Sequence, residues 1–236
     1  MCGGAVNEAP GGLIVETGIQ ATGFNQLHCD GGPQESDEAA IAAAERHFGS
    51  SGSWRIVSEG PSVAAEAFAT RHGVERQPLY PVMAMPLAGS MPPPKTPLVL
   101  STADDIAGLR LFVDCAGAGY RMDPALLKPL ATNAALAEGD LRFHLGRLHG
   151  RCVAVSVSVR SGDTVGVYFV AVRRGFRRRG FATAVTWHAI HAGANPGAGT
   201  AVLQATPAGY PVYARMGFTR ITDYWLWDLP GLHPRP

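Results

Sequence analysis

The stretch AVRRGFRRRGFATAVTWHAIH carries five arginines within 173–179, with Gly175 and Gly180 among them, directly after an apolar run that ends at Val172. A strand that breaks into a glycine-containing loop and passes straight into a helix gathers unpaired backbone N–H groups and the positive helix end at one point. That arrangement holds phosphate. The guanidinium groups add positive potential and bidentate partners for an anion. Gly175 and Gly180 have the GxxxxG spacing of a nucleotide-binding P-loop, but Phe181 and Ala182 stand where that loop needs Lys and Ser or Thr. A nucleoside triphosphate site is therefore not expected, and the GxGxxG spacing of a dinucleotide fold does not fit either. His188 and His191 are spaced for one helix face but have no third ligand in view, so no metal is expected.

Taken together, two segments resemble the signatures of the GCN5-related N-acetyltransferases, the GNAT family. Arg177, Arg178, Arg179, Gly180, Phe181 and Ala182 match the family's R/Q-x-x-G-x-G/A after a strand. Downstream, in LQATPAGYPVYARMGF, Tyr213, Arg215, Gly217 and Phe218 match its Y-x-K/R-x-G-F. The resemblance spans residues 98–229 and implies an acyltransferase that moves the acetyl group of acetyl-CoA to a primary amine by direct attack. Acetyl-CoA is then a cosubstrate, and no metal is needed. The family's pyrophosphate contacts fall here on the amides of Arg177, Arg178, Arg179, Gly180, Phe181 and Ala182, with Thr183 beside them. Its pantetheine contacts fall on the main chain of Val170, Ala171 and Val172. Tyr213 takes the role of acid toward the departing thiolate, whose thiol has a pKa near ~8.5. The general base stays open among Tyr168, His144, Asp140, Glu138 and a water chain, since the segment 164–172 has no carboxylate or histidine. Two departures stand out: Arg174 replaces a frequent proline, and the loop has more arginine than a pyrophosphate requires. The surplus can meet the 3′-phosphate of CoA or an acidic substrate.

The elements that must position these groups follow from periodicity. Val153, Val155, Val157 and Val159 alternate with small or polar residues, and SGD at 161–163 is a tight turn, so 141–150, 151–160 and 164–172 read as an antiparallel meander. Helices are expected over 104–117 and 123–136 before it and from Gly180 after it. A strand at 200–206, a short helix at 211–216 and a last strand at 218–229 complete this part. The prolines of PLAGSMPPPKTP, 86–97, mark a break, dividing the chain into 1–95 and 98–236. Before it, a strand at 24–29, a helix at 36–48 with Ser36 as N-cap, a strand at 54–58, a helix at 61–73 and an extended 78–87 alternate. The fold class is α/β, a mixed, mostly antiparallel sheet flanked by helices, with 1–95 a degenerate GNAT-like half and 98–236 the catalytic domain.

Composition agrees: 46% hydrophobic and 17% charged residues at a mean hydropathy of +0.05 fill a core and exclude disorder. The longest apolar run, 165–172, is far short of the ~20 residues a membrane helix needs, and the start MCGGAVNEAPGG has no leader pattern. The location is read as cytoplasmic, without membrane contact, and Cys2, Cys29, Cys115 and Cys152 as reduced thiols. Residues 1–95 carry 5 Lys+Arg against 10 Asp+Glu, and 96–236 carry 15 against 9. The near-neutral total, with Phe176 alone interleaving the arginines, argues against nucleic acid. The expected partner is an amine, as a small molecule, peptide or protein, and a homodimer is left open. The rival reading is a non-catalytic CoA-binding sensor or interaction module.

Overall fold

The computed structural model describes residues 4–19, 21–49, 52–88, 93–194 and 197–231. The chain runs through β1 (Ala5–Ala9), β2 (Gly12–Glu16), β3 (Gln26–Cys29), α1 (Gln34–Phe48), β4 (Trp54–Glu59), α2 (Val63–Arg71) and β5 (Tyr80–Pro86). It continues through β6 (Val99–Thr102), α3 (Ile106–Tyr120), α4 (Asn133–Ala137), β7 (Leu141–Leu148), β8 (Arg151–Ser161) and β9 (Thr164–Val172). It closes with α5 (Phe181–Gly193), β10 (Thr200–Gln204), α6 (Tyr210–Met216) and β11 (Thr219–Leu229). No helix among the described residues is long and apolar enough to cross a membrane.

Two compact units form, Met1–Pro81 with Thr222–Pro236, and Val82–Ile221. This differs from the division at 86–97, and strand pairing is the reason. From Val82 onward β5 is an antiparallel partner of β10, while β11 pairs with β4 from Tyr224 onward and so returns the chain's end to the first unit. Residues 89–92 of that break lie outside the described residues.

In the first unit β1, β2 and β3 are antiparallel neighbours, β3 and β4 are parallel and joined through α1, and β11 lies against β4. The β1–β2 hairpin has no counterpart in the sequence-based reading. Helix α1 starts at Gln34 with Pro33 at its N-cap, so Ser36 lies inside the first turn instead of capping it. Proline loses nothing by having no N–H there, and its fixed φ suits the entry. Trp227 is fully buried and donates its indole N–H to Glu66 at 3.1 Å, while Arg55 pairs with Asp228 at 2.6 Å across β4 and β11.

In the second unit the strands lie in the order β5, β10, β9, β8, β7, β6, with β9 and β10 parallel and every other pair antiparallel. The expected meander is present. Its first turn has His149 and Gly150 both at positive φ, 49° and 80°, the twist that suits a two-residue hairpin. The helix expected over 123–136 is instead a 3-10 stretch, Pro124–Leu130, and the short α4. Pro129 cannot donate within a helix, and the Thr132 hydroxyl accepts from Ala135 N–H at 3.1 Å, restarting it. Helix α3 is capped by Asp105, which accepts from Gly108 N–H at 2.6 Å. It packs on one face of the sheet, with Phe112 edge-on to Phe143 at 5.0 Å, and α5 packs on the other, where Ser156 donates to the Val185 carbonyl at 2.9 Å. Cys29, Cys115 and Cys152 are buried free thiols; Cys2 lies outside the described residues.

Near its C-terminus α3 comes so close to β9 that a Cβ at Gly119 would lie 2.8 Å from the Ala171 Cβ. Alanine in place of a helix glycine ordinarily stabilises. Here overpacking against rigid backbone should reverse the sign: Gly119→Ala should destabilise by about 1–3 kcal/mol, lowering Tm by roughly 3 to 10 °C in a calorimetric scan. An unchanged or raised Tm would mean that α3 and β9 are not packed this tightly.

Candidate active site

The site is shaped by one extra residue in β9. Its register against β8 runs from Val157↔Tyr168 to Val155↔Ala171, two steps in β8 against three in β9. Phe169 absorbs the difference at φ 49°, a conformation that a bulky residue adopts only where packing holds it. The surroundings show the change of face. Val165 and Val167 belong to the core cluster of Trp187 and Ile190 on the α5 side, whereas the Phe169 ring meets Phe112 and Tyr120 of α3 at 6.3 and 6.1 Å. Val170 then rejoins the α5 side. The ladder between β9 and β10 ends at Val202↔Gly166, six residues before β9 itself ends.

Beyond Val172 the chain makes a 3-10 turn, Arg174–Phe176, then passes Arg178 at φ 66° and Gly180 at φ 75°, the N-cap of α5. No side chain caps α5, and a Cβ added at Gly180 would meet nothing within 4 Å. The helix therefore presents its first N–H groups to open space. Phe181 is buried with Val153, Val172 and Val185 and anchors this end, leaving Ala182 and Thr183 half-buried.

The arginines of the loop are not equivalent. Arg173 donates to the Cys152 carbonyl at 2.9 Å and pairs with Asp114. Arg177 donates from Nε to the Val172 carbonyl at 3.1 Å and from Nη2 to the Gly119 carbonyl at 2.6 Å, tying the C-terminal end of α3 to the end of β9. A cation at a helix C-terminus complements its dipole. Two of its five guanidinium donors are thus engaged in holding the loop, while the residue stays exposed. Arg151 and Arg179 lie near the Phe176 ring, 5.5 and 5.7 Å from its centroid. Arg174 and Arg178 are exposed, and among the described residues no hydrogen bond or ion pair engages their side chains. Two arginines brace the loop, and the others supply its outward charge.

Tyr213 sits on α6 with its ring buried, edge-on to Phe218 at 6.0 Å, and a Cβ at Gly209 would come 3.0 Å from its Cε2. Its hydroxyl has no hydrogen-bond partner among the described residues, and burial pushes its pKa up to about 12. The candidate bases fare differently. His144 is fully buried between Thr102 and Ser158, its Nε2 2.8 Å from the Ser158 hydroxyl, and burial pulls its pKa down to about 3. Asp140 is paired with Arg160 beside the start of β7, and Glu138 precedes it. Both stand at the end of the sheet opposite Val172, because Leu141 pairs with Val159 and Val159 with Gly166. Tyr168 lies over Gly166, where a Cβ would be 2.6 Å from its ring. His188 stands edge-on to His144 at 5.1 Å, burial lowers its pKa, and among the described residues no group of three metal ligands occurs. Tyr120 escaped the sequence reading. It is exposed, and its hydroxyl donates to the Val170 carbonyl at 3.2 Å. No motif marks it, since only the close approach at Gly119 brings it there.

Residues 101–206 match the family described as an acetyltransferase (GNAT) domain. No curated protein matches the chain. Among solved structures, a GCN5-related N-acetyltransferase from Kribbella flavida superposes with a TM-score of 0.72 at 15% identity, covering 96% of this chain and 90% of that one. Another from Sphaerobacter thermophilus gives 0.62 at 15% identity, with 96% and 82% covered. A tandem GNAT protein from the clavulanic acid biosynthesis pathway gives 0.57 at 13% identity, with 95% and 80% covered. The motif residues, the bulged strand and the open helix start all fall within or beside the span that matches the acetyltransferase (GNAT) domain, and this chain has the GNAT fold.

Proposed function

We propose that the protein transfers the acetyl group of acetyl-CoA to a primary amine. The observation that carries this reading is the start of α5, an uncapped helix end facing open space at Gly180 with outward arginines around it. The amides of Arg177, Arg178, Arg179, Gly180, Phe181 and Ala182, with Thr183, hold the pyrophosphate, and Arg174 and Arg178 offer charge for the 3′-phosphate. Val170, Ala171 and Val172 flank the pantetheine arm. The carbonyls of Val170 and Val172 already accept one hydrogen bond each, from Tyr120 and Arg177, and each keeps a second lone pair.

Acetyl-CoA supplies the activated acyl carbon; a neutral amine attacks it, the carbon–sulfur bond breaks and a thiolate leaves. Tyr213, raised to about 12, stays protonated through the neutral range. It holds its proton more tightly than a thiol of pKa ~8.5, so it stabilises the leaving sulfur by donating a hydrogen bond rather than by surrendering the proton. With His144 enclosed and Asp140 engaged by Arg160, the amine's proton goes to water. The first unit is a degenerate GNAT-like half: it has a parallel β3–α1–β4 crossover, but Asp30, Gly31, Gly32 and Pro33 ahead of α1 bring no arginine.

Acetyl-CoA at a hundredfold excess over Kd should stabilise the protein by about 2.7 kcal/mol, a rise in Tm of roughly 5 to 10 °C, whereas ATP and NAD should not. In Gly180→Ala the positive φ costs about 1 kcal/mol, the chain still folds, and the acetyl-CoA shift should vanish because the methyl group occupies the phosphate's space. A full shift in that variant would place the phosphates elsewhere.

Tyr213→Phe should lower kcat by roughly 10²-fold or more while acetyl-CoA still raises its Tm, since the ring's packing is kept. Wild-type turnover, with chemistry shown to limit the rate, would make Tyr213 a packing residue. Cofactor binding without thiol release from any amine in a broad panel would favour the CoA-binding sensor instead.

A further inference from the structure

A cavity of about 220 Å³ opens in the first unit at a place that plays no part in acetyl transfer. Its walls include Glu45, Trp54, Phe68, His72, Val74 and Leu229. The rings form a connected set: Trp54 stacks on Phe48 at 5.5 Å and lies 6.0 Å from Phe68, which lies 4.4 Å from His72. Glycines shape the rim. Gly49 turns at φ 65° and ψ −175°, and a Cβ at Gly52 would come 2.4 Å from the Phe48 carbonyl oxygen.

Among the residues lining this cavity Glu45 is the one carboxylate and no Lys or Arg occurs, while Arg46 and His47 of α1 and Arg71 of α2 stand in the same last turns outside the lining. The cavity lies where α1 and α2 both end, with Gly49 and His72 as their C-caps, and helix C-termini carry partial negative charge that favours cations. Glu45 adds a carboxylate in the last turn of α1, where it opposes the helix dipole, and its side chain is 55% exposed. The His72 ring nitrogen facing it stands 3.9 Å off, beyond hydrogen-bond distance. One ring of the set already draws a cation, since the Arg71 guanidinium lies 5.6 Å from the centroid of Phe68. A carboxylate whose nearest basic group is a histidine ring 3.9 Å away, two negative helix ends and an aromatic wall are groups that recognise an ammonium ion with an apolar body.

We infer that this cavity binds a small organic cation, an alkylammonium whose charge meets Glu45 and whose apolar groups lie against Trp54 and Phe68. Its volume equals the liquid share of about seven water molecules, which suits a ligand the size of choline. The inference stands apart from acetyl transfer, and its readout is binding alone.

Titration calorimetry on the full chain with choline, and with its neutral isostere 3,3-dimethylbutan-1-ol, tests it. Choline should bind roughly tenfold more tightly than the isostere. Glu45→Gln, an exposed change, should weaken choline by roughly three- to tenfold and leave the isostere unaffected. Equal affinity for the two probes, no binding of choline at tens of millimolar, or unchanged choline affinity in folded Glu45→Gln overturns the inference. Should that variant fail to fold, the comparison of probes on the unaltered protein decides alone.

Discussion

One inserted residue in β9 governs the second unit. The bulge at Phe169 moves successive side chains out of alternation, sending the Phe169 ring into the α3 side and returning Val170 to the α5 side. A regular strand would continue its alternation and its ladder with a neighbour; here the ladder with β10 ends at Gly166. The main chain of Val170, Ala171 and Val172 is thereby left beside the loop that starts α5. The unusual φ of Phe169 is held by contacts to Phe112 and Tyr120, and those exist because Gly119 lets α3 approach β9 closely. Backbone strain of this kind costs on the order of 1–3 kcal/mol and persists only where packing overrides it.

The same economy of position explains the arginines. Five in seven residues suggest a single electrostatic purpose, yet Arg173 and Arg177 spend their donors on backbone carbonyls and an aspartate. They fix the loop's path from β9 to α5. A loop held this way keeps the N–H groups of α5 aimed without rearrangement, which is what makes a helix start an effective anion site. Arg174 and Arg178, pointing outward, are left to add potential.

Much of this was legible in the sequence, and the reasons are local. The alternation of Val153 to Val159 and the glycine turns specified the meander, and the spacing of Gly180 and Ala182 behind three arginines specified the helix start. Hidden features were those decided by tertiary contact. Phe169 reads as an ordinary strand residue, because the bulge depends on how β8 and α3 receive it. Likewise 123–136 has the periodicity of one helix, while Pro129 and Thr132 split it. The prolines at 86–97 looked like a domain break because local chemistry forbids regular structure there, but nothing local records that β11 would join β4. His144 and Asp140 looked available as bases in one dimension and are engaged in three.

The central claim is that acetyl-CoA lies along the end of β9 with its phosphates on the start of α5. Hydrogen–deuterium exchange with and without acetyl-CoA tests this most directly, because it reads the backbone amides themselves. The account predicts slowed exchange concentrated in residues 170–172 and 177–183, with the rest of the second unit little changed. Protection confined to other segments, with these amides exchanging as fast as in the free protein, would contradict it.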